Sequence, residues 1–295
     1  MTNLYFLCFV MQVRCHSQSI PMGAPNSTLI YHESLGGGAN GEVFRATWQR
    51  KSQSEIEVAA KKISFSGEIP DHLRREMIER EDLRKLDHTN ITRYYGTMIQ
   101  EQHAVIITEY AAKGSLFDYL KDKTKLPKKL LHLWMFQLAK GIDYLSQNGI
   151  AHSNLKSSNC MITTDGKLKI RDFGMAKDFS GTTKTNWKGS TRWLAPEVIK
   201  DQELSPKAEI FAFAIIVWEM LTCEAPYSDK TEETVMHEVC YKDLRPAIPT
   251  ECPTFLKDLM ERCWHEDRQM RPASSDIVKM LQQEYRFTDG YGKTL

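Results

Sequence analysis

NGIAHSNLKSSNCMI, residues 148–162, places His152, Asn154, Lys156 and Asn159 at short, regular intervals in a polar stretch between apolar patterns. What surrounds it decides the fold. Upstream, KKLLHLWMFQLAKGIDYLSQNG (128–149) reads as one long helix whose end is marked by Asn148 and Gly149. Downstream come RDFG (171–174) and LAPE (194–197), then IFAFAIIVWEML (210–221), which is apolar on every side. A helix of that kind is buried all round, as the centre of a helical unit.

The first part of the chain has a different character. GEVFRATW (41–48) and IEVAAKKI (56–63) are short runs rich in β-branched and aromatic residues, separated by the polar QRKSQSE (49–55), which predicts a hairpin. Pro70 and Asp71 open a helix expected to run to about Leu86, with Met77, Leu83 and Leu86 at helical spacing. HAVIITEY (103–110) reads as another buried strand. Strands come first and helices second, so the expectation is an α+β protein with a β-rich lobe and a mostly helical lobe. The boundaries follow as an extension and linker over 1–28, a first lobe over 29–111, a second over 112–283 and a polar tail over 284–295.

Composition narrows the function. The 295 residues are 41% hydrophobic and 26% charged, enough for one large core or two adjoining lobes. A net charge of +1 gives no global field to steer the chain toward nucleic acid or a membrane, and neither is expected as a partner. Seven cysteines form no C-x-x-C pair, which fits reduced thiols and a cytoplasmic protein. The apolar stretch Leu4 to Val13 is too short to span a bilayer and has no preceding Lys or Arg, so it is read as an extension or an added edge strand. Ser17 to Asn26, with Pro21, Gly23 and Pro25, is read as a linker.

LGGGANGEV (35–43) holds Gly36, Gly38 and Gly41 in G-x-G-x-x-G spacing. A dinucleotide fold would need a helix after the last glycine, and a strand pattern follows instead. Two readings remain open on the glycines alone: a hairpin turn over a nucleotide's phosphates, or a flexible surface turn.

The order of further signals resolves the choice. After the glycines come VAAK with Lys61, then Glu79 on the helix, then HSNLKSSN (152–159), RDFG and LAPE. In that order they resemble the signature set of the eukaryotic protein kinases, over roughly Leu29 to Leu281. WLAPEVI (193–199) and ERCWHEDRQMRP (261–272) look partly tyrosine-kinase-like, whereas Lys156 is typical of serine/threonine kinases. The mixture resembles the tyrosine-kinase-like group, and within it the mixed-lineage kinases of the MAP kinase kinase kinase type.

The resemblance implies ATP and Mg²⁺ as cofactors and assigns residues to them. Leu35, Gly36, Gly38, Gly41, Val43 and Ala59 would cover the nucleotide, with Val43 over the adenine. Lys61 would hold the phosphates and pair with Glu79, an ion pair that doubles as a switch. Thr108 would be the gatekeeper, Glu109 to Ala111 the hinge along the adenine edge, and Met161 the floor. Asn159 and Asp172 would ligate Mg²⁺ through oxygen. Phe173 and His152 would pack behind the site, and Glu197 would be tied to Arg271.

The pattern then breaks. Where the family has His-Arg-Asp, this chain has His152, Ser153 and Asn154. The absent aspartate would accept the proton of the substrate hydroxyl. An amide can receive a hydrogen bond but takes up no proton near neutral pH. Ser153 removes the arginine that would grip a phosphate on the loop from Met175 to Leu194, where Thr182, Thr183, Thr185, Ser190 and Thr191 are candidate acceptors. Glu209 stands where the family has an aspartate anchoring this loop, Ala214 where glycine is usual, and Asn40 at the tip of the glycine turn. The nucleotide and metal residues are kept and the proton acceptor is altered. The expectation is therefore an ATP–Mg²⁺ binder with impaired or absent phosphotransfer, a pseudokinase acting on a partner kinase or substrate. The alternatives are a working serine/threonine kinase that tolerates Asn154, and an interaction module that binds no nucleotide.

Overall fold

The computed structural model describes residues 27–38, 41–50, 54–173, 176–177, 183–184 and 191–285. Leu4 to Val13, the linker, Asn40, Met175, Thr182, Thr185, Ser190 and the tail after residue 285 lie outside the described residues.

The first lobe is a five-stranded antiparallel sheet. Strands β1 (Ser27–Gly38), β2 (Gly41–Arg50), β3 (Ile56–Ser64), β4 (Tyr94–Gln100) and β5 (His103–Glu109) lie in the order β1-β2-β3-β5-β4. The register sets Val43 opposite Lys61 and Ala59 opposite Thr108. Successive strand residues point to opposite faces. Val58, Ala60, Val105 and Ile107 build one buried cluster with Leu29, Ala46 and Trp48. Ala59 and Lys61, alternating with them, face the other way, toward the helical lobe. The first strand begins at Ser27, and Gly36 and Gly38 still pair within β1, opposite Val43 and Gly41.

Glycine at 41 is dictated by backbone crowding. Its φ is +111°, and a Cβ there would sit 2.2 Å from the Lys62 carbonyl oxygen. β1 is irregular between Tyr31 and Ser34 and between Ser34 and Gly36. Leu35 falls in the second irregularity and is exposed rather than packed into either sheet cluster.

One helix differs from its sequence pattern. Helix α1 spans Asp71–Glu81 and stops, followed by a 3-10 turn over Asp82–Lys85, instead of continuing to Leu86. Leu73, Met77 and Arg80 are its buried positions, and Leu83 and Leu86 continue the stripe. In a 3-10 turn residues three apart eclipse one another. Leu83 and Leu86 therefore fall beneath Arg80, and Glu79, expected on their face, is turned to solvent.

The second lobe is helical. α2 (Leu116–Lys121) leads to α3 (Lys128–Gln147), which ends at Asn148 with Gly149 at φ +67°. The short strands β6 (Ile150–Ala151), β7 (Cys160–Ile162) and β8 (Leu168–Ile170) follow, with β7 and β8 paired. Then come β9 (Ala176–Lys177), β10 (Thr183–Lys184), α4 (Pro196–Asp201) and β11 (Glu203–Leu204), with β6 paired to β9 and β10 to β11.

α5 (Pro206–Thr222) is the centre of this lobe, with every residue from Ala208 to Met220 buried. It starts where Ser205 caps it, accepting from the Ala208 N–H, with Pro206 at its first position. α6 (Glu232–Tyr241), α7 (Thr254–Cys263) and α8 (Ser274–Glu284) surround it. Gly141 lets α3 lie directly on β8: a Cβ there would come 2.7 Å from Ile170 Cδ1 and 3.0 Å from the Asn90 carbonyl. The main core joins both lobes, since Leu83, Leu86 and Ile106 pack in the same cluster as the α3 and α5 side chains. The expected arrangement of a β-rich lobe over a helical lobe is the one observed.

Candidate nucleotide site

Between the lobes lies a cavity of about 250 Å³. Leu35, Val43 and Ala59 come to it from the sheet, Thr108 to Ala111 from the end of β5, and Met161 from β7. The floor is tied to the connecting segment: the Lys113 N–H donates to Ile162 O and the Ile162 N–H to Gly114 O, at 3.1 and 2.9 Å. A slot with apolar residues such as Val43, Ala59 and Met161 in its walls and polar groups such as Ser115, Asp118 and Arg171 beside them suits a flat heteroaromatic ring that carries a polar tail. Gly36, Gly38, Gly41, Lys61, Glu79, Asn159 and Asp172 do not line this cavity.

Glu79 is exposed, and no Lys61–Glu79 ion pair exists among the described residues. The carboxylates nearest the sheet side of α1 are otherwise engaged. Glu76 holds the buried Arg80 at 2.9 Å, and Glu81 accepts from the Tyr94 hydroxyl at 3.2 Å.

The loop after β6 is held from beneath. Glu209, buried on α5, accepts the backbone N–H of His152 and, at 3.1 Å, that of Ser153 through the same Oε1. The substituted acid thus anchors the loop. Burial pushes Glu209 up to about 7, against the opposing effect of the two backbone donors. Ser153 is held at φ +62°, and its hydroxyl turns back to donate to His152 O at 2.6 Å. Burial pulls His152 down to about 4, so the ring is neutral and its Nδ1 receives the Asn154 N–H at 3.3 Å.

The Asn159 amide donates to Asn154 O at 2.8 Å, which orients it. The Arg171 N–H donates to Asn159 O at 2.9 Å, so Asn159 and Asp172 are held at the mouth of the same β7–β8 hairpin. Asp172 sits at φ +57° and is half-exposed, while Phe173 beside it is buried. Both offer side-chain oxygen suited to a hard cation, the amide of Asn159 having already committed its nitrogen. Lys156 is half-buried. Desolvation lowers its ammonium below the ordinary value, against the opposing effect of Asp172.

Around the site, Glu197 and Arg271 form a two-armed pair at 2.7 and 3.0 Å, with the Arg271 side chain fully buried. Thr191 is not presented to solvent as a phosphate acceptor would be: it is 4% exposed and donates to Glu232 Oε2 at 3.2 Å. Thr183 lies in β10, paired with Leu204.

Several lining residues carry no obvious signature in the sequence. Ser115 caps α2 by accepting the Asp118 N–H, and both line the cavity. Thr92 bonds Ile170 O at 2.6 Å from within the wall. Arg171 lines it as well. The alternation in LKIR (168–171) was the available clue. Leu168 and Ile170 are fully buried, which leaves Lys169 and Arg171 to project from the opposite face, toward the cleft.

The description protein tyrosine and serine/threonine kinase matches residues 29–281. Human mitogen-activated protein kinase kinase kinase 13 is 34% identical over 263 residues, covering 85% of this chain and 26% of that protein. Serine/threonine-protein kinase STY17 of Arabidopsis thaliana is 35% identical over 251 residues, covering 84% and 43%. Rat mitogen-activated protein kinase kinase kinase 12 is 33% identical over 273 residues, covering 88% and 29%. The chain therefore spans less than half the length of these curated relatives. The bilobal architecture, the cleft between its lobes and these matches together place the chain in the protein tyrosine and serine/threonine kinase family.

Proposed function

We propose that this domain binds ATP with Mg²⁺ and transfers phosphate weakly or not at all, acting as a pseudokinase on a partner in a MAP kinase cascade in the cytoplasm. The observation that carries this reading is the pairing of a formed adenine-sized slot with Asn154 on an ordered loop. The slot has Val43 and Ala59 above, Met161 below and Glu109 to Ala111 at its edge. Lys61 would swing onto the phosphates, and Asn159 and Asp172 would hold the metal, which neutralises the charge of the transferring group. Asp118, at the cavity wall, would accept from a sugar hydroxyl.

Asn154 would still place the incoming hydroxyl but could not take its proton. General-base steps are worth on the order of 10²–10⁴-fold. Phosphoryl transfer leans more on positioning and charge, so the loss falls toward the low end of that range. A second reading, a working serine/threonine kinase, draws support from Glu209 holding the loop and from the retained Lys156. One paired experiment separates the two. Melting of the domain is followed with and without Mg-ATP, and incorporation of labelled phosphate into a generic protein substrate is measured alongside. A shift without incorporation supports the pseudokinase, and turnover at ordinary kinase rates refutes it. No shift at all leaves only an interaction module.

A further inference from the structure

Arg171 stands immediately before the proposed metal ligand and lines the nucleotide cavity. Its backbone is fixed by the bond to Asn159 O, and the β8 alternation carries its side chain to the cleft side. Lys169, the other cation on that face, is taken by Glu109 at 2.8 Å. Arg171 is not taken in the same way. Its Nε is buried without a hydrogen-bond partner, and among the described residues the carboxylate it pairs with, Asp172, holds its Oδ2 3.7 Å away, an ion-pair distance beyond hydrogen bonding. A buried N–H of a charged group without an acceptor is costly, and a ligand oxygen would relieve it. With Glu79 turned out, Arg171 is, of Lys61, Lys156 and Arg171, the cation that lines the cavity itself.

We propose that Arg171 is a phosphate-binding residue that substitutes in part for the divalent cation, so that this domain holds ATP without Mg²⁺. The guanidinium has two roles, both following from its position. Its planar fork can take two phosphate oxygens at once. Its charge beside Asp172 also weakens that carboxylate as a metal ligand. Nucleotide binding thereby loses dependence on the metal, and metal binding loses strength. The inference rests on the ATP-binding reading above and goes beyond it.

The test is a titration of the domain with ATP in EDTA, ATP in Mg²⁺, and adenosine, followed by thermal shift and dissociation constant. The wild-type chain, R171M and R171K are compared. The expected result is that wild-type affinity for ATP in EDTA lies within about tenfold of that in Mg²⁺. R171M should lose on the order of tenfold or more in EDTA, the worth of a charge-assisted contact, while binding adenosine as the wild type does. R171K, which keeps the charge and loses the fork, should fall between. ATP binding by the wild type that vanishes in EDTA overturns the inference and leaves the ATP–Mg²⁺ reading standing. An R171M variant with unchanged affinity in EDTA also overturns it. Failure of the wild type to bind ATP or adenosine under any condition removes both.

Discussion

Asn154 rests on a loop whose supports are intact, and that sets what restoring the acid would do. His152 and Ser153 hang from Glu209, and Asn159 bonds Asn154 O, so the backbone at 154 does not depend on its own side chain. N154D should therefore fold as the wild type and raise phosphate incorporation by about 10²-fold. An unchanged rate, with ATP still bound, would mean that the defect lies elsewhere, in Lys61 and Glu79, which form no ion pair with each other. The same helix carries a second buried acid. Glu219 accepts from the Ser157 hydroxyl and the Trp193 indole at 2.7 Å each, and burial pushes it up to about 8. Both carboxyls bind protons more tightly folded than unfolded. Between about pH 4.5 and their folded values the native state therefore holds more protons, and stability falls as pH rises. The slope is at most about 1.4 kcal/mol per pH unit for each group. E219Q keeps an acceptor for Trp193 and cannot ionise. Melting temperature should decline from pH 5.5 to 8.5 in the wild type and decline less in E219Q. Parallel curves would show that Glu219 is not the titrating group.

At the scale of elements, α1 is where pattern and structure part. Met77, Leu83 and Leu86 do share a buried stripe, as their spacing suggests, but the stripe is built from two helical geometries. A sequence pattern read at a single period carries that stripe past Glu81 and puts Glu79 on it. The change to three residues per turn moves Arg80 there instead. The consequence is measurable. E79A should alter stability by less than about 0.5 kcal/mol, as an exposed surface change, whereas L83A should cost about 2–4 kcal/mol. Urea denaturation of both variants decides it, and a destabilised E79A would place that carboxylate inside. Elsewhere the elements were legible because their signals are local. Asn148-Gly149 ends α3, and the uniform apolarity of 210–221 marks a helix buried all round. The cavity wall was legible where a residue belongs to a motif, as Val43 and Met161 do. Ser115 and Asp118 lie in it through long-range packing of the α2 start, which no local pattern encodes, and for Arg171 the β8 alternation gives the face but not the cavity it meets.

For the whole molecule, the question is how the two lobes are set relative to the cavity they share. Apolar packing contributes through Leu83, Leu86 and Ile106 in the common core. A polar clamp adds direction. Glu109, at the end of β5, accepts from Lys169 of β8 at 2.8 Å and from the Arg93 N–H at 3.1 Å, through the same Oε2. The Lys169 and Glu109 side chains are only 15% and 24% exposed, so water screens this pair less than a surface pair. It joins the last strand of the sheet to the hairpin beneath it, and neither end competes with the adenine edge if that edge is read by backbone groups. K169M should therefore lower stability by about 1–3 kcal/mol, the cost of a charged hydrogen bond. That corresponds to a fall of several degrees in melting temperature for a chain of this size. Because Lys169 does not line the cavity, saturating ATP should raise the melting temperature of K169M at least as much as that of the wild type. A ligand that touches Val43 and Ala59 above and Met161 below holds the lobes together by a separate route. Scanning both proteins with and without nucleotide checks each part. An unaltered K169M melt would remove the clamp as a determinant of lobe geometry, and loss of the ATP increment would show that lobe orientation and nucleotide binding depend on the same ion pair.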